Sequence, residues 1–178
     1  IASERKTLRD ASRVVFPGQG SMRDCVERLN SLDMVDELRR CLVTKPFLGI
    51  CLGKQILFDY SEEGESQGLG FFPGKVKRFK KKNAVKIPHM GWNTVRIKRN
   101  HPVFRGILNG KEEKAYFYFV HSFFSMPDDH RLILGETMHG EVFSSVISSE
   151  NIFATQFHPE KSSENGILLL KNFAGWNP

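Results

Sequence analysis

The sequence holds only three cysteines in 178 residues. Three cannot all pair, so a disulfide scaffold is excluded and a reducing, cytoplasmic setting is expected. Long apolar runs are also missing. The longest, such as 47–52 and 117–120, fall far short of the roughly 20 residues that span a bilayer, so no membrane segment is expected. The first ten residues contain no apolar h-region, so no signal peptide is read there. No internal repeat, low-complexity segment or obvious linker interrupts the chain. With 40% apolar and 26% charged residues, the composition is that of a folded chain rather than a disordered or collagen-like one. The length suits one domain.

Acid is absent between 75 and 86, where Lys75, Lys77, Arg78, Lys80, Lys81, Lys82 and Lys86 crowd together. The chain's net charge of +6 is therefore one local patch, since the remainder is close to neutral. Such a run is read first as a solvated strand edge, and second as a seat for an anionic ligand or a docking partner. No nucleic-acid motif accompanies it, so nucleic acid is not an expected partner.

What is present is an α/β pattern. Val14-Val15-Phe16 and Phe47-Leu48-Gly49-Ile50 read as short buried strands, and the apolar spacing from Met22 to Leu42 as two helical stretches between them. Residues 52–60 continue as a helix. Strands are expected over 76–79, 85–87, 94–97, 115–120, 132–134, 142–146 and 152–157. A last helix is expected from 163 or 164 to 174, with Ser163 as N-cap and Ile167, Leu170 and Ala174 on one face. The expected fold is one α/β domain, with a mixed, mostly parallel sheet flanked by helices.

Gly49-Ile50-Cys51-Leu52-Gly53 falls at a strand-to-helix junction, the setting of a nucleophile elbow. Small flanking residues let the backbone turn sharply and let helix and strand approach. Cys51 is expected to stand exposed at the sheet tip and at a helix N-terminus, where the dipole favours thiolate. The Leu52 backbone N–H is free there to donate to a developing oxyanion. The plainer reading of Cys51 is a buried thiol, and for Cys25 and Cys41 that plainer reading is preferred.

A nucleophilic Cys needs a base, and the base an orienting group. His158 and Glu160 end the apolar run 152–157, and in an extended backbone they face the same side. His89 and His121 are weaker candidates; His101, His130 and His139 are expected in solvated turns. No His/Cys spacing suits zinc, so neither metal nor cofactor is expected. Gln55 lies one helical turn from Cys51, placed to reach a substrate amide or to cap a neighbouring strand. The turn Pro17-Gly18-Gln19-Gly20 either completes an oxyanion hole through its N–H groups or is a plain tight turn.

Gly49 to Gln55 and Phe157 to Glu160 make the sequence resemble the class I (triad) glutamine amidotransferases. Four segments make it similar, more narrowly, to the glutaminase subunits of imidazole glycerol phosphate synthases of histidine biosynthesis. They are Pro17-Gly18-Gln19-Gly20, Lys86-Ile87-Pro88-His89-Met90-Gly91-Trp92-Asn93, Tyr116-Phe117-Tyr118-Phe119-Val120-His121-Ser122 and His158-Pro159-Glu160-Lys161-Ser162. The resemblance implies a flavodoxin-like fold and a Cys51–His158–Glu160 triad that releases ammonia from L-glutamine through a γ-glutamyl thioester. It implies backbone oxyanion donors at Gln19 and Leu52. Substrate contacts are implied at Gly18, Gly20, Gln55, Glu63, His121, Ser122 and Phe123. The partner it implies is a (β/α)₈-barrel cyclase, reached across Trp92, Asn93 and Lys161, with a core aromatic as the other reading of Trp92. Family members open with a strand and helix before the position of Ile1, so 1–178 reads as an N-terminally incomplete glutaminase domain. Gln19 stands where an apolar residue is usual, and Lys54 where Met is common. A stand-alone γ-glutamyl-type cysteine hydrolase and a non-catalytic binding module of the same fold remain as alternatives.

Overall fold

The computed structural model of the chain describes residues 4–80, 85–108 and 114–178. Lys81 and Lys82 of the basic stretch lie outside the described residues. The first third alternates helix and strand: α1 (Arg5–Asp10), β1 (Val14–Phe16), α2 (Met22–Ser31), α3 (Val35–Thr44), β2 (Phe47–Ile50) and α4 (Leu52–Gln55). The rest is strand-rich: β3 (Phe58–Ser61), β4 (Ser66–Gln67), β5 (Phe72–Arg78), β6 (His89–Ile97), β7 (Lys114–His121), β8 (Phe123–Pro127), β9 (Ile133–His139), β10 (Glu141–Ser149) and β11 (Ile152–Thr155). Helix α5 (Ser163–Gly175) closes it.

Seven strands form one sheet in the order β1-β2-β11-β10-β9-β6-β7, and a second sheet runs β4-β3-β5-β8. The main sheet is mixed, as expected, but only β1, β2 and β11 lie parallel; β10, β9, β6 and β7 are antiparallel. The expectation of a mostly parallel sheet is corrected by connection length. Parallel neighbours need a long crossover, here α2 and α3 between β1 and β2. Strands β9 and β10 are separated by Gly140 alone, and β10 and β11 by Glu150 and Asn151, both hairpin-length turns. Gly140 (φ +71°) and Glu150 (φ +46°) supply the left-handed backbone these turns demand.

Strand β2 is buried at every position, which explains its unbroken apolar run. Alternation sends Leu48, Ile50 and Phe153 into one hydrophobic core, and Phe47, Ile152 and Ala154 into the other. The two cores thus clamp β2 and β11 from both faces and fix the strands whose ends carry the site.

Several expected boundaries move. The helix expected over 52–60 ends at Gln55. The carbonyls of Ile56 and Leu57 are taken by the amides of Leu69, Phe71 and Phe72, and Phe58 onward joins a sheet. Residues 85–87 form no strand; Pro88, which has no N–H to offer a ladder, precedes β6. The N-cap of α5 is Ser162 rather than Ser163. Its hydroxyl donates to the His158 carbonyl and accepts the Tyr118 N–H, leaving none for the helix. The buried face of α5 is Gly166, Leu169 and Phe173, while Ile167 is exposed. Gly166 sets that face, because a Cβ there would lie 1.8 Å from the Pro159 carbonyl oxygen. Helix α1 escapes sequence patterning because Leu8 is its one buried residue; an Arg9–Glu37 ion pair at 2.9 Å ties it to α3.

Candidate active site

Strand β2 ends in a sharp turn at Cys51, whose backbone sits at φ +53°, ψ −103°, and α4 starts at Leu52. A non-glycine residue in that region is strained and is held only by its surroundings. Those surroundings are the flanking glycines. A Cβ on Gly53 would lie 1.8 Å from the Phe16 carbonyl oxygen, and one on Gly49 would lie 2.5 Å from the Gly53 oxygen. The Cys51 N–H is anchored to the Thr155 carbonyl at 2.8 Å, which binds the elbow to the end of β11.

The Cys51 side chain is buried rather than exposed. It opens into a cavity of about 230 Å³ lined by Gln19, Gly20, Leu52, Gln55, His121 and Phe123, among others. Burial pushes its thiol up to about 11, against smaller opposing pulls from the Leu52 N–H and the Gln156 side chain. The expected lowering by a helix dipole fails because α4 has only four residues and desolvation outweighs it.

Around the sulfur runs a chain of amides. Gln156 Nε2 donates to Cys51 Sγ at 3.6 Å. Gln55 Nε2 donates to Gln156 Oε1 at 3.2 Å and to the Phe123 carbonyl at 2.9 Å. Gln156 is the site residue that the sequence reading passed over. Its place two residues before His158 on an extended segment was the available signal.

His158 is buried, and its Nδ1–H donates to Glu160 Oε1 at 2.7 Å. Glu160 reaches the ring from a 3₁₀ turn, 159–161, and not from extended backbone. The ring's Nε2 is buried and has no hydrogen-bond partner among the described residues. The backbone around it is well tied: His158 N–H to the Tyr118 carbonyl at 2.9 Å, and Thr155 Oγ1 to the Phe157 carbonyl at 2.9 Å. Cys51 and His158 follow the C-terminal ends of neighbouring parallel strands, so both stand at one edge of the sheet.

The remaining expected residues divide. Gln19, Gly20, Gln55, His121, Ser122 and Phe123 line the cavity with Cys51 and Leu52. Gly18 backs the elbow: a Cβ there would meet the Leu52 Cβ at 3.0 Å. Glu63 lies against the start of α2, where burial raises its carboxyl and the Met22 N–H draws it back down. Trp92 is 53% exposed, which disposes of the core-aromatic reading. Asn93 beside it turns its amide inward, and Lys161 is exposed.

Lys54 is fully buried. Its Nζ donates to Ser125 Oγ and to the Ser144 carbonyl (2.9 Å), with the Phe58 ring 5.9 Å away. Burial pushes this ammonium down to about 7. His101 and His139, expected in solvent, are packed instead. His101 lies 5.0 Å from both the Phe153 and Trp176 rings, and His139 stacks on His89 at 4.1 Å. Flanking aromatics outweigh the polar turn residues next to them in sequence. Among the described residues, no cluster of three or more His, Cys, Asp or Glu is arranged to hold a metal ion. No helix there is long and apolar enough to cross a membrane.

Comparison with known proteins gives this geometry a context. The family model for glutamine amidotransferase class-I matches residues 2–175. An imidazole glycerol phosphate synthase subunit HisH from Neisseria meningitidis is 44% identical, over 99% of this chain and 84% of its own. The protein of the same name from Chromobacterium violaceum is 47% identical, over 94% and 79%. Among solved structures, a glutamine amidotransferase superposes with a TM-score of 0.69 at 15% identity, over 97% of this chain and 85% of that one. A putative GMP synthase subunit from Thermoplasma acidophilum gives 0.63 at 22%, over 97% and 75%. Those two likenesses speak for the fold. The match across nearly the whole sequence speaks for descent, and the chain belongs to the class-I glutamine amidotransferase family.

Proposed function

We propose that the chain is the glutaminase subunit of an imidazole glycerol phosphate synthase. In this reading it frees ammonia from L-glutamine for a (β/α)₈-barrel cyclase subunit in histidine biosynthesis. The observation that carries the chemistry is a buried thiol opening into a small cavity, with a histidine past the end of the neighbouring strand at the same sheet edge whose one ring nitrogen is held by a carboxylate and whose other has no partner among the described residues. The similarity to the HisH subunits, over 94–99% of this chain, carries the assignment of the synthase.

Cys51 is the nucleophile. Its raised pKa means the thiolate does not stand ready; the proton leaves as the sulfur attacks. With Nδ1–H committed to Glu160, His158 Nε2 carries the lone pair that accepts this proton. The sulfur adds to the side-chain amide carbon of glutamine. The resulting oxyanion lies toward the backbone N–H groups of Leu52 and Gln19. His158 returns the proton to the departing nitrogen, ammonia leaves, and a γ-glutamyl thioester remains. Water, deprotonated by the same ring, attacks that carbon; the sulfur leaves and glutamate is released. Gln55, Gly18, Gly20, Glu63, His121, Ser122 and Phe123 hold the substrate's polar groups. Trp92, Asn93 and Lys161 face the cyclase; the exposed Met90 and Trp92 on β6 and Met138 on β9 suit an apolar contact there. The three free cysteines fit a reducing cytoplasm.

The test is Cys51→Ala in the assembled two-subunit enzyme. Glutamine-dependent synthesis is expected to vanish while synthesis from added ammonia persists. Glutamine turnover surviving the substitution would overturn the reading.

A further inference from the structure

We infer that Asn93, His89 and His121 form a one-way hydrogen-bond relay that sets the Phe123 carbonyl, and through it the Gln55 amide, in the glutamine pocket. The inference rests on the pocket assignment just given. It makes His89 and Asn93, neither of which touches the cavity, positioning residues for substrate.

The direction of the relay follows link by link. Asn93 Oδ1 accepts the Thr94 N–H at 2.7 Å, which fixes the amide's orientation. Its Nδ2 therefore points at the Met138 carbonyl (3.0 Å) and at His89 Nε2 (3.1 Å). An amide NH₂ cannot accept, so His89 Nε2 is an acceptor and the His89 proton sits on Nδ1. That Nδ1–H meets His121 Nε2 at 3.0 Å. His121 Nε2 accepts in turn, so the His121 proton also sits on Nδ1, where it donates to the Phe123 carbonyl at 2.8 Å. That oxygen takes its second hydrogen bond from Gln55 Nε2 at 2.9 Å. With both lone pairs engaged it has one favoured orientation, and Gln55 hands the constraint on to Gln156 and Cys51.

The frame is rigid. His89 and His121 are direct partners across the β6–β7 ladder, so backbone register and not a loop sets their separation. Phe79, Phe119 and Phe143 surround both rings. The charged and titratable groups facing the pair are His139, stacked on His89, and Lys54, whose charge bears on His121; neither stabilises an imidazolium. Burial lowers both rings, His89 to about 4, so both are neutral at physiological pH. Neutrality is what the relay needs, because a doubly protonated ring has no acceptor. The outer end lies next to exposed Trp92, on the strand assigned to the partner face.

The test begins with the tautomers, read from two-bond ¹H–¹⁵N correlations in the ¹⁵N-histidine-labelled full chain. His89 and His121 are both expected as neutral Nδ1–H rings at pH 7. His121 found with its proton on Nε2 would overturn the inference. The second readout is H89F, which keeps the aromatic volume but removes both nitrogens. In the assembled enzyme with saturating partner, the glutamine KM is expected to rise about 5- to 30-fold with kcat within about threefold, and His121 to lose its Nδ1–H preference. A merely packed histidine predicts no such split, and an unchanged KM rejects the relay. Should H89F fail to fold, N93V at the half-buried strand position serves in its place. It is expected to raise KM about threefold and to release the His89 tautomer; no change in either rejects the relay. A native complex that ignores glutamine altogether would instead remove the functional reading, and the tautomer result would stand apart from it.

Discussion

His158 gives its Nδ1–H to Glu160 across 2.7 Å, while its Nε2, sealed from solvent, bonds to none of the described residues. One nitrogen is satisfied so that the other stays available. A buried acceptor without a partner costs about 1–3 kcal/mol, a cost that the proposed mechanism recovers when the ring takes the Cys51 proton. Glu160 is half exposed, so its charge is partly screened, and its larger contribution is to orient the ring.

That division gives an ordering of variants. H158A is expected to lower glutamine turnover by about 10³-fold or more, since it removes the proton acceptor. E160Q keeps a hydrogen-bond acceptor beside the ring, though not its charge, and is expected to lose about 10- to 100-fold. Glutamate release by the assembled complex reads both. Equal losses would mean that the carboxylate charge, not the ring's orientation, is what matters.

The elbow makes a second prediction, on stability. A methyl group on Gly53 meets the Phe16 carbonyl at 1.8 Å, a clash with backbone that no rotamer relieves. G53A is expected to cost at least about 3 kcal/mol. At Gly20 a methyl meets nothing within 4 Å, and only the positive φ of +101° is strained. G20A is expected to cost about 1–2 kcal/mol. Urea midpoints separate the two; similar shifts would mean that φ strain, not the close approach, dominates at the elbow.

Lys54 makes a third, in pH. Folding pushes its ammonium down to about 7, against about 10.4 in the unfolded chain. Between those values the unfolded chain holds a proton that the folded chain has released, so stability rises with pH through this window. Below pH 7 both states are protonated and the burial cost is complete. K54M removes that cost, offset in part by the Ser144 carbonyl left without its donor. The variant is expected to be the more stable at pH 6, its advantage shrinking by up to about 1.4 kcal/mol per unit from pH 7 toward pH 10. The Cys51 thiol titrates in both proteins, and only its coupling to Lys54, the smallest influence on it, stays in the difference. A gap that stays constant with pH would show that Lys54 does not titrate there.

Much of the fold was legible because its cues are local. Val14-Val15-Phe16 stops at Pro17-Gly18 and Phe47-Leu48-Gly49-Ile50 starts after Pro46, while the elbow glycines point to the sharp turn only in combination with the distant His158-x-Glu160. The stretch 52–60 misled because buried helix and buried strand share an apolar run, and hydrogen bonds from Leu69, Phe71 and Phe72 decide the matter. The parallel share of the sheet was overread by extending the first third's pattern to a hairpin-rich remainder. In the site, Cys51, His158 and Glu160 were singled out from local motifs, while Gln156 and the burial of Lys54 depend on contacts across 105 and 90 residues. Polar neighbours in sequence likewise hid the packing of His101 and His139.

The pairing of β2 with β11 has a consequence for synthesis. Phe47 lies opposite Ile152, and Ile50 opposite Thr155, so one ladder joins segments made about a hundred residues apart. The ribosome delivers Cys51, the proposed nucleophile, about a hundred residues before His158, its proposed base. A nascent chain that has folded its first strands carries a thiol but no histidine to activate it. In the proposed mechanism ammonia release therefore waits until β11 and the His158 turn have been made, and the hydrolysis of glutamine by a shorter nascent chain is prevented by the order of the strands.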